Sequence, residues 1–150
     1  MIFILAAPIR SGKTTSLIKW SAGRNDVHGI LTPLVDGKRV FMNVWTKEQW
    51  PMEATGDEEK LLVGRFQFSK AGFEKAIDII KNAIDENGWL IIDEIGPLEL
   101  RGEGFHDVLK EILGKRKENI LLVVREGLAK QVKDHFAFDP VIIAEAGSIS

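Results

Sequence analysis

The sequence predicts an α/β fold, a three-layer sandwich built on a mainly parallel sheet. Three observations lead to this prediction. Short apolar runs rich in β-branched residues recur along the 150-residue chain, helical segments lie between them, and the first run leads through a short loop directly into a helix. An Asp-Gly turn at Asp36 and Gly37 interrupts the alternation, so we expect an antiparallel hairpin to be inserted into the sheet.

Each predicted strand is an apolar run bounded by a turn or by polar residues. The predicted strands are residues 2–6, 29–31, 39–45, 62–68, 89–92, 120–124 and 141–143. The predicted helices are residues 13–22, 70–87, 104–114 and 127–135. In the second helix apolar residues recur at three- and four-residue spacing before Gly88, which indicates that one helical face packs against the sheet.

Residues 47–59 are polar, contain Pro51 and Gly56, and are predicted to form a mobile loop. Trp45 precedes this segment and Trp50 lies within it. Their rings could stack on a nucleobase, but aromatic residues near a hairpin more often pack in the core or under a lid.

Composition limits the classes of function. The formal charge is −2 and 45% of the residues are hydrophobic, which is typical of one globular domain, here spanning residues 1–150. The scattered lysines form no strong electrostatic footprint for nucleic acid or for an anionic membrane. The chain has no cysteine, which excludes disulfides, thiolate metal sites and a cysteine nucleophile. His28, His106 and His135 are far apart in sequence and show no metal-ligand spacing.

The apolar N-terminal run is too short for a membrane span, which needs about twenty residues, and it lacks the basic start of an export signal. We interpret it as a buried parallel strand. A cytoplasmic protein that does not contact a membrane is therefore expected.

A phosphate-binding loop is predicted between the first strand and the first helix. Successive backbone N–H groups at such a junction surround phosphate oxygens, and the helix N-terminus adds partial positive charge. Gly12 allows close approach, the Lys13 ammonium reaches the β- and γ-phosphates, and the Thr14 hydroxyl is a ligand for Mg²⁺. The residues assigned to nucleotide binding are Pro8, Ile9, Arg10, Ser11, Gly12, Lys13, Thr14 and Thr15.

The motif departs from the G-x-x-x-x-G-K-[ST] pattern at one position. Ala7 stands where the first glycine is expected, and alanine tolerates positive φ poorly. The entry to the loop should therefore be relaxed or shaped differently. The alternative interpretation is an ordinary strand-to-helix turn.

Two adjacent acids follow the buried run 89–92, at the strand end where ligands gather in open α/β sheets. Asp93 is the predicted magnesium partner together with Thr14, because a buried carboxylate needs a compensating charge. Glu94 points elsewhere and is predicted to accept a proton from the attacking water. The alternative is that both acids begin a solvated turn.

Arg125 ends the buried run 120–124 and should lie at the same edge of the sheet as Asp93. A guanidinium there would neutralise charge that develops on the phosphates, and so would Arg10 inside the loop. Each arginine could instead be a solvated residue beside the sheet edge. The predicted catalytic residues are therefore Glu94, Lys13 and Arg125.

Five segments together resemble the THEP1-type nucleoside-triphosphatases, the cancer-related NTPase family. They are IRSGKTTSLIKW, GILTPLVDGKRVFMNV, LLVGRFQFSKAGFEKA, LIIDEIGPLELRGEGF and LLVVRE, and they span nearly the whole chain. The most specific part is D-E-I-G-P-L-E-L at residues 93–100, followed by Phe105, with V-G-R-F at residues 63–66 in support.

The resemblance implies a P-loop fold of the RecA-like branch and slow, Mg²⁺-dependent hydrolysis of ATP, GTP and other nucleoside triphosphates. It also implies that Gly12, Lys13 and Thr14 bind phosphate and Mg²⁺, that Asp93 is the Walker B acid and that Glu94 activates water. The chain departs from the family at Ala7 and in the hairpin region, so phosphate grip and base selectivity are the properties affected.

Two other functions stay open at this point. A nucleotide or small-molecule kinase would need an acceptor pocket and an arginine-bearing lid, and the basic residues 115–117 are more simply a favourable helix end. A nucleotide-dependent switch or adaptor in a cofactor-assembly pathway would use residues 47–59 as its nucleotide-sensitive surface. The sequence identifies a nucleoside triphosphate as the substrate but names no protein partner.

Overall fold

The computed structural model describes residues 1–7, 12–116, 119–145 and 147. Its strands are β1 (Ile2–Ala7), β2 (Val27–Leu31), β3 (Leu34–Val35), β4 (Lys38–Asn43), β5 (Gln49–Pro51), β6 (Lys60–Val63), β7 (Phe66–Ser69), β8 (Trp89–Ile95), β9 (Ile120–Arg125) and β10 (Val141–Ile143). Its helices are α1 (Lys13–Ala22), α2 (Lys70–Ala83), α3 (Pro97–Leu100), α4 (His106–Lys115) and α5 (Ala129–Phe136), and a 3₁₀ turn at Glu126–Leu128 precedes α5.

The predicted α/β fold with a mainly parallel sheet is confirmed. Strands β10, β1, β9, β8 and β2 lie side by side in this order and are parallel. Antiparallel β4 extends this sheet from β2, and both β3 and β5 pair with β4. The predicted hairpin turn at Asp36 and Gly37 joins β3 to β4. Because the central strands are parallel, the carboxyl ends of β1, β9, β8 and β2 meet at one edge of the sheet.

Alternating side chains of the central strands enter two separate cores. In β1, Ile4 lies on the face covered by α2, α4 and α5, whereas Leu5 lies on the face covered by α1. Leu90 and Ile91 of β8 divide in the same way, and all four side chains are essentially inaccessible to solvent. Burial on both faces explains why these strands are continuous apolar runs. The sheet therefore forms the middle of three layers.

Three predicted elements were wrong in detail. Residues 62–68 form two paired strands, β6 and β7, rather than one, because the chain turns back at Gly64 and Arg65. The helix predicted over 70–87 ends at Ala83, and a separate short helix, α3, precedes α4, which begins at His106.

The segment predicted to be a mobile loop contains regular structure. Within residues 47–59, β5 pairs with β4, and Glu53 forms a bridge with Phe68. Trp50 on β5 is buried, and its indole Nε1 donates a 3.0 Å hydrogen bond to the Gly72 carbonyl oxygen. Among the described residues, no helix combines the length and apolarity needed to cross a membrane.

Gly29 in β2 should be intolerant of any side chain. Its φ is +119°, and a Cβ there would overlap the backbone of Ile91 in the neighbouring strand. We expect Gly29→Ala to lower the free energy of unfolding by about 3 kcal/mol or more, through backbone strain and overpacking together. Gly64→Ala is the matched control, because Gly64 also has positive φ but no neighbouring atom lies within 4 Å of the position that a Cβ would take. Urea unfolding that gave equal losses for both variants would contradict this prediction.

Candidate active site

The first part of the site is the junction between β1 and α1. Gly12 has left-handed backbone angles, with φ 79° and ψ 19°, and stands immediately before Lys13, the first residue of α1. No side chain among the described residues caps α1, so its N-terminal N–H groups face the sheet edge without that partner. Thr15 lies exposed in the first turn of α1. Pro8, Ile9, Arg10 and Ser11, also predicted to bind nucleotide, lie outside the described residues.

Asp93 lies at the carboxyl end of β8 and is completely buried. Its Oδ2 accepts a 2.8 Å hydrogen bond from the Thr14 hydroxyl and a 3.1 Å bond from the backbone N–H of Thr32. Its Oδ1 is buried and has no hydrogen-bond partner among the described residues. A buried carboxylate oxygen without a donor, next to a hydroxyl, is an arrangement that a hard divalent cation would satisfy.

The surroundings of Asp93 also change the pKa of its carboxyl group. Burial raises the pKa of the Asp93 carboxyl group, and the nearby charge of Glu94 raises it further. Hydrogen bonds from Thr14 and Thr32 oppose the rise. A positive charge placed beside Oδ1 would compensate the buried negative charge and keep the carboxylate ionised.

The strand ladder is irregular at Glu94. Asp93 pairs with Val123 and Ile95 pairs with Val124, so Glu94 is an extra residue in β8. Its Oε2 lies 3.2 Å from the Lys13 ammonium nitrogen. The Lys13 side chain is 8% exposed and that of Glu94 is 29% exposed. The two predicted catalytic groups are therefore in direct contact.

Arg125 ends β9 at the predicted edge, and its backbone is in register with Ala7 at the entrance to the phosphate loop. Its Nε is buried without a hydrogen-bond partner among the described residues. An unsatisfied buried guanidinium nitrogen beside a phosphate loop is well placed for an anionic ligand.

Arg39 is a second arginine near the site, and it was not predicted from the sequence. Its Nη1 donates a 2.8 Å hydrogen bond to the Thr32 carbonyl oxygen, and the Thr32 N–H in turn holds Asp93. One feature of the sequence indicates the position of Arg39. The turn at Asp36 and Gly37 sets the register of the hairpin, and this register pairs Leu34 with Arg39 close to the end of β2.

Glu99 is a buried acid that was also not predicted from the sequence. Its Oε1 accepts the Gly96 N–H at 2.7 Å, and its Oε2 accepts the Phe105 N–H at 2.9 Å. It thereby joins the segment after β8 to the start of α4. Gly96, Pro97 and Glu99 form a recognisable helix-start pattern, with proline at the first helical position and glutamate at the third.

Glu99 should make folding stability depend on pH. Burial raises the pKa of Glu99 from 4.5 to about 7, although hydrogen bonds from Phe105 and Gly96 oppose the rise. Because its pKa is higher in the folded state, its contribution is complete below about pH 4.5 and is lost as pH rises through about 7. This shift corresponds to about 3 kcal/mol. Urea unfolding at about pH 5 and about pH 8 should show a smaller pH dependence for Glu99→Gln than for the wild type.

Asp93 contributes a pH dependence of the same sign to both proteins, so the difference between them reports on Glu99. Glu103→Gln, which alters a nearby exposed carboxylate, is the control. If Glu99→Gln and Glu103→Gln had the same pH dependence as the wild type, the inferred pKa of Glu99 would be wrong.

Trp45 and Trp50 have different surroundings. Trp50 belongs to the core and stacks near Phe41. Trp45 is 54% exposed and stacks on His28 with ring centroids 4.5 Å apart. This pair lines a cavity of about 350 Å³ beside β2 and α2. The cavity lies beside His28 and Gly29 in the first part of β2. Thr32, which contacts Asp93, follows the carboxyl end of β2.

The chain is similar in sequence to known nucleoside-triphosphatases. A family model described as NTPase matches residues 2–142. The nucleoside-triphosphatase THEP1 of Archaeoglobus fulgidus is 30% identical over 115 residues, which cover 71% of this chain and 67% of that protein. The nucleoside-triphosphatase THEP1 of Methanocaldococcus jannaschii is 27% identical over 143 residues, which cover 89% of this chain and 82% of that protein.

Two solved structures share the fold. The crystal structure of THEP1 from Aquifex aeolicus superposes with a TM-score of 0.76 at 22% identity, covering 98% of this chain and 90% of that chain. The solution structure of a human cancer-related nucleoside triphosphatase gives 0.65 at 22% identity, covering 95% of this chain and 86% of that chain. At this level of identity the likeness supports the fold.

Proposed function

The chain belongs to the family of THEP1-type nucleoside-triphosphatases, and we propose that it hydrolyses ATP, GTP and other nucleoside triphosphates to the diphosphate and phosphate with Mg²⁺. The observation that carries this proposal is the pairing of Thr14 with Asp93 and of Lys13 with Glu94 at one edge of the sheet. These two pairings support a phosphate-binding lysine, a cation site and a general base in one place.

Lys13 supplies the phosphate grip in this proposal. Its ammonium group is nearly buried at the start of α1, where the helix N-terminus also favours negative charge. Without nucleotide its partner is Glu94. When the β- and γ-phosphates bind, they compete for the ammonium group, and Glu94 is released from the ion pair. Substrate binding thus frees the base.

Glu94 then acts on water. The water oxygen forms a bond to the γ-phosphorus, the bond from this phosphorus to the β–γ bridging oxygen breaks, and a Glu94 carboxylate oxygen accepts the proton of the water. The bridging oxygen remains with the nucleoside diphosphate. The partly exposed Glu94 side chain is open to water, as this role requires.

Thr14 and Asp93 are the residues that would hold Mg²⁺, through the threonine hydroxyl oxygen and the unpartnered Oδ1. Bound there, the ion would neutralise charge on the β- and γ-phosphate oxygens. Thr32 and Arg39 keep Asp93 in position, because the Thr32 N–H holds its carboxylate and the Arg39 guanidinium holds the Thr32 carbonyl oxygen.

Arg125 supplies further positive charge beside the loop entrance. Its partially buried side chain lies next to β1, where a guanidinium would stabilise charge that builds on the transferring phosphoryl group. We assign it a catalytic role secondary to Lys13. The cysteine-free composition suits a reducing compartment, so we propose that the protein acts in the cytoplasm.

Phosphate release from ATP, GTP and CTP, measured with Mg²⁺ and again with excess EDTA, tests this function. We expect turnover that depends on Mg²⁺ and is lost in Asp93→Asn. Asp78→Asn, which changes an exposed carboxylate on α2, should retain it. Nucleotide binding without phosphate release by the wild type would contradict hydrolysis and favour a kinase or a switch. Release that is unchanged in EDTA would contradict the magnesium role.

A further inference from the structure

Two histidines that are distant in sequence meet on the surface. His106 begins α4, His135 lies in the last turn of α5, and their Nε2 atoms are 3.2 Å apart. The spacing of the histidines along the chain predicted no metal site, but spacing along a chain does not report which helix ends are adjacent in space. Here α4 and α5 bring the two imidazole rings together.

The carboxylate of Asp107 lies beside the other ring nitrogen of His106. The His106 Nδ1 lies 2.8 Å from the Asp107 carboxylate oxygen, and a carboxylate accepts hydrogen bonds. In the neutral ring the proton therefore resides on Nδ1, and Nε2 presents a lone pair towards His135. A carboxylate that holds the far nitrogen of a histidine is the usual outer partner of a metal-ligating imidazole.

The separation of the two nitrogens suits a shared ion. Two imidazole nitrogens that bind one tetrahedral zinc ion at about 2.0–2.1 Å lie roughly 3.3–3.4 Å apart. The observed Nε2 to Nε2 distance of 3.2 Å is close to this value, so a small rotation of the exposed His135 ring would suffice.

We propose that His106 and His135 form a binding site for a divalent cation that prefers nitrogen ligands, with Zn²⁺ as the representative ion. His106 donates through Nε2, and His135 donates through Nε2 after its proton moves to Nδ1. Among the described residues, no group of three or more histidine, aspartate or glutamate side chains converges on a metal position. Water molecules therefore complete the coordination of the ion on this open surface.

The site is separate from the phosphate site in both chemistry and position. Mg²⁺ prefers oxygen ligands, whereas two imidazoles favour zinc and the later first-row metals. The ion would link the start of α4 to the end of α5. Because Glu99 joins the start of α4 to the segment after β8, a zinc link would restrain the helix that follows the candidate active site.

Isothermal titration with zinc chloride in excess Mg²⁺ and without nucleotide tests the site. We expect one zinc ion per chain in the wild type and at least a tenfold loss of affinity in His135→Ala. Asp107→Asn should weaken binding about tenfold, because the outer carboxylate no longer orients His106. His28→Ala is the matched control, since this third histidine lies on β2 beside Trp45.

Thermal unfolding with and without zinc gives a second readout. The wild type and His28→Ala should be stabilised by zinc, whereas His135→Ala should not, and its melting temperature without zinc should be close to that of the wild type because His135 is exposed. Equal zinc affinity in the wild type and His135→Ala, or no zinc binding by the wild type, would overturn the proposal.

Discussion

Replacing Glu94 with glutamine should lower the rate of phosphate release about 10²- to 10⁴-fold, the contribution typical of a positioned general base. The amide cannot accept the proton of the attacking water at neutral pH. The same change should strengthen nucleotide binding. In the free protein Lys13 is paired with Glu94 at 3.2 Å, and the substitution removes the charge that competes with phosphate for this ammonium group.

Steady-state phosphate release and an equilibrium titration with a fluorescent ATP analogue measure these two effects separately. Glu103→Gln is a suitable control, because Glu103 is an exposed carboxylate paired with Arg101. If Glu94→Gln hydrolysed ATP at the wild-type rate, Glu94 would not be the base. If it bound nucleotide more weakly, the Lys13–Glu94 pair would not be a competitor of phosphate.

Lys13→Ala should have the largest effect on nucleotide affinity. The variant removes a nearly buried ammonium group from the start of α1, and a hydrogen bond to a charged group contributes about 1.5–3 kcal/mol. This corresponds to a loss of affinity of roughly 10- to 100-fold. The fold itself should tolerate the change, because the carboxylate that loses its partner, Glu94, is still 29% exposed to water.

Lys19→Ala is the matched control for this variant, since Lys19 is an exposed lysine in the last turn of the same helix. Both proteins should have similar melting temperatures, and only Lys13→Ala should bind nucleotide weakly. Equal affinities for the two variants would exclude Lys13 as the phosphate grip.

The strands around the site could be predicted because their sequences carry the signature of double burial. β8 and β9 are buried on both faces, so nearly every residue in them is apolar until Asp93 and Arg125 appear at the carboxyl ends. A polar residue that ends such a run has to lie at the sheet edge. The apolar pattern alone therefore places both residues correctly.

The hairpin of β6 and β7 could not be separated from one strand by composition. Its turn residues, Gly64 and Arg65, lie within a run of apolar residues, and its strands are only partly buried, so the run shows no clear boundary at the turn. The helix α3 was missed for a different reason: four residues are too few to show a helical period, although Pro97 and Glu99 mark its start.

Long-range pairs were the least accessible to sequence reasoning. Arg39 reaches the site because a hairpin returns it to the end of β2, and His106 meets His135 because two helix ends are adjacent. The contact between the two histidines leaves no local pattern in the chain, and that of Arg39 is marked only by the turn at Asp36 and Gly37. The ion pair of Lys13 with Glu94 belongs to the same class, since each residue was assigned a role separately while their contact follows only from the fold.

Single-turnover hydrolysis of Mg²⁺-ATP should be measured for the wild type and for Glu94→Gln, with bound nucleotide quantified in the same samples. If Lys13 holds phosphate while Glu94 activates water, the wild type converts bound ATP to ADP and phosphate, whereas in Glu94→Gln the site is filled at least as fully and ATP stays intact. Conversion of bound ATP at the same rate by both proteins would contradict this division of roles.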